Sequence, residues 1–204
     1  MAQNKQQPED LRVRRTRKLL TQALIELTIE KGFAALTVQD IADRAMVNRA
    51  TFYRHYLDKH DLLDKYMYEV YELTADQEQL PAAPPNAGAD GPPAGIVRML
   101  EHVRQHADFY RVMLGAQGDP AFVARIRHYS EQRLRSLLPG DATPLKPDSP
   151  PRDLCLSYLA HAGIGVLAWW LQAEQPHPPE QIAAWLNQLN KETLEYVLHN
   201  SIPR

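Results

Sequence analysis

The stretch Leu36–Tyr66, LTVQDIADRAMVNRATFYRHYLDKHDLLDKY, decides the fold. It divides into three helical pieces, each opened by a residue that can cap a helix. Thr37 followed three residues later by Asp40 makes a capping box, in which the hydroxyl accepts from a first-turn N–H and the carboxylate reaches back to the cap residue's own N–H. Val38, Ile41, Ala42 and Ala45 then fall at i, i+3, i+4 and i+7, so one face of a short helix turns inward and Gln39, Asp43 and Arg44 turn outward. Met46 and Val47 form a brief turn, after which Asn48 caps a second short helix through Tyr56. Asp58, paired with Asp61, opens a long third helix. Its Leu62, Leu63, Tyr66, Val70 and Leu73 keep helical spacing to about Gln79.

The same periodicity extends in both directions and predicts an all-α chain. Upstream, a helix runs from about Leu11 to Lys31, with Val13, Leu20, Leu24 and Leu27 near one stripe and Gly32 as its stop. Downstream, the Pro-rich stretch Leu80–Gly95 is a connector. Helices are expected over about Ile96–Leu114, Pro120–Leu138, Arg152–Glu174 and Pro179–Asn200, the middle pair separated by a second Pro-rich break. Charge divides the chain in the same place. The 204 residues carry 23 Lys+Arg and 25 Asp+Glu, a net −2, but residues 1–60 hold 11 basic and 7 acidic groups, or +4, and the remainder 12 against 18, or −6. A basic front on an acidic body fits a nucleic-acid-binding module attached to a part that need not touch the polyanion, or simply a solvated basic face.

Two short helices after a longer one have the order of a helix-turn-helix, whose second helix enters the DNA major groove. That helix carries Asn48, Arg49, Thr51, Tyr53, Arg54 and His55, all able to hydrogen-bond, with Ala50 small enough for close approach and Phe52 and Tyr56 free to turn to the core. Arg suits bidentate recognition of guanine, while Thr, Tyr and Lys can hold thymine methyls or phosphates. The run resembles the DNA-binding domain of the TetR (tetracycline repressor) family of bacterial transcriptional regulators over residues 12–66, with Thr37, Ile41, Ala42, Ala45, Val47, Thr51, Tyr53, Tyr56, Lys59, Leu62 and Leu63 in register. The resemblance implies a DNA-binding domain over residues 1–60 and a helical regulatory, ligand-binding and dimerisation domain over 61–204. It makes Arg49, Ala50, Thr51, Tyr53, Arg54 and His55 DNA-facing, and Thr37 and Lys59 phosphate contacts at helix N-termini. Met46 stands where many members have Gly; a positive φ there costs on the order of 1 kcal/mol. Arg12, Arg14, Arg15, Arg17 and Lys18 are either a solvated end or further phosphate contacts.

For the rear domain, the resemblance implies two helices that dimerise as a four-helix bundle. Leu156, Leu159, Gly163, Leu167, Trp185, Leu189 and Val197 are the expected interface, unless they are core within one chain; Gly163 and Gly165 let another helix come close. Phe109, Tyr110, Met113, Phe122, Tyr158, His161, Trp169 and Trp170 are the candidate pocket around a central cavity, though an aromatic set at helical spacing also serves as plain core. Trp169 and Trp170, being adjacent, cannot both face the same way.

No enzyme signature appears: the histidines are scattered, without HExxH, a Gly-rich phosphate loop or a nucleophile elbow. His102 and His106 at i, i+4 could hold a metal or form a solvated face, and the single Cys155 is a small filler or a redox-sensing thiol. No stretch reads as the roughly 18 apolar residues that span a bilayer. The expectation is a cytoplasmic, homodimeric transcriptional regulator without cofactor, metal or membrane partner. It binds double-stranded operator DNA and, more as repressor than activator, is released by an unknown small-molecule effector. The alternative is a small-molecule-binding or interaction module whose DNA-reading head has degenerated.

Overall fold

The computed structural model describes residues 11–75, 92, 94–137 and 150–199; most of both Pro-rich connectors and the side chains of Leu73 and Val197 lie outside the described residues. Among the described residues all regular structure is helical: α1 (Leu11–Lys31), α2 (Val38–Arg44), α3 (Arg49–Tyr53), α4 (Lys59–Ala75), α5 (Ala94–Gln105), α6 (Ala107–Leu114), α7 (Pro120–Leu137), α8 (Arg152–Gln172) and α9 (Pro179–His199). The chain divides between Glu69 and Val70. That is later than residue 60, because Leu62, Leu63 and Tyr66 on the first turns of α4 are buried and belong to the head unit.

In the head, α1 stops at Gly32, whose φ of 80° is costly for any residue with a Cβ and whose N–H donates to the Thr28 carbonyl. Leu20, Leu24 and Leu27 of α1, Ile41, Ala42 and Ala45 around α2, and Phe52 of α3 form its core with Phe33 and Tyr56. α3 is shorter than the spacing predicts. Residues 54–56 leave the helix as a turn, where the Tyr56 N–H still donates to the Phe52 carbonyl.

In the rear unit, the helix expected over 96–114 breaks at His106 into α5 and α6. α8 packs against α6, α7 and α9, and α5 against α9. The core gathers Leu100, Val103, Phe109, Tyr110, Met113, Phe122, Leu156, Leu159, Leu167, Trp170 and Ile182. Between α6 and α7, a Cβ at Gly118 would lie 2.2 Å from the Met113 carbonyl oxygen, so only glycine fits that approach. The Trp170 indole donates to the His177 carbonyl at 2.9 Å and fixes the turn into α9. The membrane reading of the sequence is corrected here: by length and composition α8 alone, among the described residues, is apolar enough to cross a bilayer, with a mean hydropathy of 1.5 over its most apolar window. Its Cys155, Leu156, Leu159, Ala160, Leu167, Trp170 and Leu171 are buried within the unit, as in a core helix.

Candidate nucleic-acid interface

Local hydrogen bonds set the ends of the three short pieces. The Thr37 hydroxyl accepts from the Asp40 N–H at 3.2 Å while Asp40 Oδ2 accepts from the Thr37 N–H at 2.9 Å and its hydroxyl at 2.6 Å, completing the capping box. Asn48 Oδ1 accepts from the Ala50 N–H at 2.8 Å and starts α3. Asp58 Oδ1 accepts from the N–H groups of His60 and Asp61, and Asp61 Oδ2 from that of Leu57. Between α2 and α3, Met46 adopts φ 55°.

Four cations are spent on holding this arrangement. Lys31 pairs with Asp40 at 2.8 Å; that ammonium, with the Thr37 hydroxyl and N–H, holds the Asp40 carboxyl far below the usual carboxylate range. Arg44 forks onto both carboxylate oxygens of Glu30 at 2.7 Å and reaches Glu26 at 3.2 Å, tying α2 to α1. Helical spacing alone turns Arg44 outward; Glu26 and Glu30, at i, i+4 on α1, are the signal in the sequence for this clamp. Lys59 donates to the carbonyls of Phe33, Ala34 and Leu36 at 2.8–3.1 Å, and its ammonium stands 4.9 Å from the Phe33 ring centre. All three ammonium protons thereby have acceptors, so the Lys59 side chain clamps α4 to the α1–α2 loop. Lys65 donates to the His55 carbonyl at 3.1 Å and to Asp61 at 2.9 Å, holding the chain just past α3.

What remains outward on α3 is cationic and polar. Arg49 donates to the Tyr53 hydroxyl at 3.1 Å, Arg54, just past the helix, donates to the Thr51 hydroxyl at 2.9 Å, and among the described residues neither guanidinium meets a carboxylate. Tyr53 is 47% exposed, whereas Tyr56 is buried against Phe52, and burial pushes its phenol up to about 12. Thr37 and Ala50 are exposed and His55 is half-buried. On α1, Arg14, Arg15 and Lys18 are exposed as well.

Two family models match: one described as "Bacterial regulatory proteins, tetR family" over residues 20–66, and one described as "Transcriptional regulator C-terminal region" over 90–192. The chain belongs to the TetR family. Its similarity to a curated protein of Bacillus subtilis (strain 168), the HTH-type transcriptional regulator YxbF, is 42% identity over 60 residues, which is 29% of this chain and only 16% of the relative's length. Among solved structures, a TetR transcriptional regulator from Streptococcus agalactiae 2603V shares 26% identity with a TM-score of 0.61, covering 88% of this chain and 95% of that one. NalD of Pseudomonas aeruginosa, the secondary repressor of the MexAB-OprM multidrug efflux pump, shares the fold at 21% identity and a TM-score of 0.57, over 91% and 98%. So does DhaS, activator of a dihydroxyacetone kinase operon, at 16% and 0.61, over 90% and 98%.

In this TetR-family chain the rear-unit residues sort differently from the sequence expectation. Phe109, Tyr110, Met113, Phe122 and Trp170 are buried, the first two and Phe122 forming an aromatic cluster with ring centres 5.4–6.1 Å apart. Tyr158 and Trp169 are 61% and 49% exposed, and His161 is exposed. The eight therefore do not surround one cavity, and the pocket reading is corrected. Of the expected interface residues, Leu156, Leu159 and Leu167 are core within the chain, while Trp185 and Leu189 stand exposed and Gly163 is half-buried. His102 and His106 stack at 4.4 Å, and His102 meets Tyr110 edge-on at 6.0 Å. Both are half-buried; burial, with His106 adding repulsion, pushes His102 down to about 4. Among the described residues no three metal-binding side chains gather. Cys155 is buried, and that burial raises its thiol above the ordinary value.

Proposed function

We propose that the protein acts as a homodimeric repressor in the bacterial cytoplasm, binding a palindromic operator through α3 and released from it by a small molecule. The observation that carries DNA reading is the contrast among cations in the head. Lys31, Arg44 and Lys65 are paired with carboxylates and Lys59 with carbonyls, whereas Arg49 on α3 and Arg54 just past it, among the described residues, hydrogen-bond to hydroxyls and to no carboxylate. A cation left without a counter-charge on the second helix of a helix-turn-helix suits a major groove lined by acceptors and phosphates. Thr37, Ala50, Thr51, Tyr53 and His55 complete the proposed contact set.

Dimerisation is supported by the outer faces of α8 and α9. Leu154, Tyr158, His161, Gly165 and Trp169 recur at helical spacing and are exposed, as are Trp185 and Leu189 on α9. His177 joins the two helices' rings, 6.5 Å from Trp169 and 4.7 Å from Trp185. A Cβ at Gly163 or Gly165 would meet nothing within 4 Å among the described residues, leaving room for a partner's helix. A second copy buries this surface and supplies the second reading head that a two-fold operator needs. Release follows if an effector binds better to a conformation whose heads do not match the operator, since a ligand shifts an equilibrium only by its differential affinity. The fold itself serves a named repressor and a named activator; the sign proposed here rests on the family's namesake.

The test is fluorescence-anisotropy titration of the purified protein against fragments of its own upstream DNA at several salt concentrations. Saturable binding to one fragment, in a ratio of two chains to one site, is expected. Equal affinity for all fragments would sink the reading.

A further inference from the structure

We propose that Tyr53 is a positioning residue for Arg49, and that the pair makes each operator half-site carry a G·C base pair beneath α3. The inference rests on α3 reading DNA and adds which base it reads and what aims the reader. Tyr53 and Arg49 lie at i, i+4, so both project from one side of α3. Arg49 Nη2 donates to the Tyr53 hydroxyl at 3.1 Å, and the guanidinium carbon stands 5.5 Å from the ring centre. The Tyr53 ring is itself set edge-on against Phe52 at 5.6 Å and 83°, and Phe52 is fully buried. A chain of contacts thus runs from the head core through an aromatic ring to an exposed guanidinium.

One N–H of the five that Arg carries is used by the tyrosine, which leaves a fork of parallel donors free. Guanine presents N7 and O6 as two adjacent acceptors in the major groove, whereas adenine places an amino group where O6 would be. A fork already restrained by Tyr53 loses less rotamer freedom on binding than a free Arg side chain. Had a carboxylate taken this guanidinium, as Glu30 takes that of Arg44, the fork would be occupied. Arg54 is tied to the Thr51 hydroxyl instead, and among the described residues no ring fixes its plane.

The experiment starts with wild-type protein selecting duplexes from a randomised library. Anisotropy titrations then compare wild type, Arg49→Ala, Arg49→Lys and Tyr53→Phe on the selected operator and on versions in which each half-site G·C pair is changed to A·T. One such change should weaken wild type by about 10–100-fold and leave Arg49→Ala nearly indifferent. Arg49→Lys keeps the charge but loses the fork, and with it most of the discrimination at that pair. Tyr53→Phe keeps the ring and the thermal midpoint, yet cuts discrimination at the same pair by about 2–10-fold, the worth of one hydrogen bond. The proposal is overturned if Arg49→Ala weakens binding equally on every duplex, the mark of a phosphate contact, or if Tyr53→Phe discriminates as wild type does. A wild-type protein that selects no sequence would overturn the regulator reading itself, and the two failures are told apart at the selection step.

Discussion

Met46 holds a long side chain at φ 55°, a backbone conformation that favours glycine, and is 93% exposed, so its side chain is hardly packed among the described residues. Relief of the left-handed strain is worth roughly 1–2 kcal/mol, against about 0.4–1 kcal/mol of added freedom that glycine gives the unfolded chain. Met46→Gly should therefore raise stability by about 0.5–1 kcal/mol, and Met46→Ala should change little, both read from urea midpoints; a loss on Met46→Gly would mean that the side chain has a partner. His102 gives a pH signature. Its folded pKa of about 4 lies below the ordinary 6.5, so the unfolded chain takes up a proton that the folded chain refuses. That contribution is complete above about 6.5 and is lost as pH falls toward 4, roughly 2 kcal/mol between pH 7 and pH 5. His102→Gln should flatten that part of the stability curve relative to wild type. A variant whose curve runs parallel to wild type would contradict the assignment. Tyr53 and Tyr56 show what a residue's letter conceals: both rings touch Phe52, yet Tyr53, at the end of α3, is 47% exposed and Tyr56, in the turn beyond it, is buried.

Among the elements, the helix-turn-helix was legible because its signals are local. Thr37 with Asp40, Asn48, and Asp58 with Asp61 each act within three residues, so their caps follow from order alone. Lys59 was not legible, because its acceptors lie more than twenty residues upstream in a loop whose carbonyls only the fold brings together. Lys59→Met should lower head stability by about 2 kcal/mol, the worth of a charge-assisted hydrogen-bonded site. It should also leave the salt dependence of DNA binding unchanged, whereas loss of a phosphate contact would reduce the log–log slope by about 0.9. α8 failed for the opposite reason: it is apolar nearly all round, so its sequence does not say which stripe faces inward. Leu156, Leu159 and Leu167 went to the core and Leu154, Tyr158 and Trp169 to the outside.

For the whole molecule, the near-neutral net charge of −2 hides the division that matters. In the head, Lys31, Arg44 and Lys65 are paired with carboxylates; in the proposed reading α3 and the start of α1 are then what meets DNA, which favours sequence-reading contacts over general attraction to a polyanion. Two such heads act together only if the chain dimerises. Leu189 is 69% exposed, so Leu189→Glu should spare the monomer's fold, yield monomers in light scattering, and weaken operator binding about 100-fold or more through lost avidity. A variant that remains dimeric would place the interface elsewhere. The most direct test of the central claim is hydroxyl-radical footprinting of wild type and Arg49→Ala on the selected operator. The account predicts two protected half-sites whose centres are about 34–36 Å apart, or a whole multiple of that, lost in Arg49→Ala while the dimer stays intact. Protection that is absent at low salt in wild type, or identical in the variant, would contradict it.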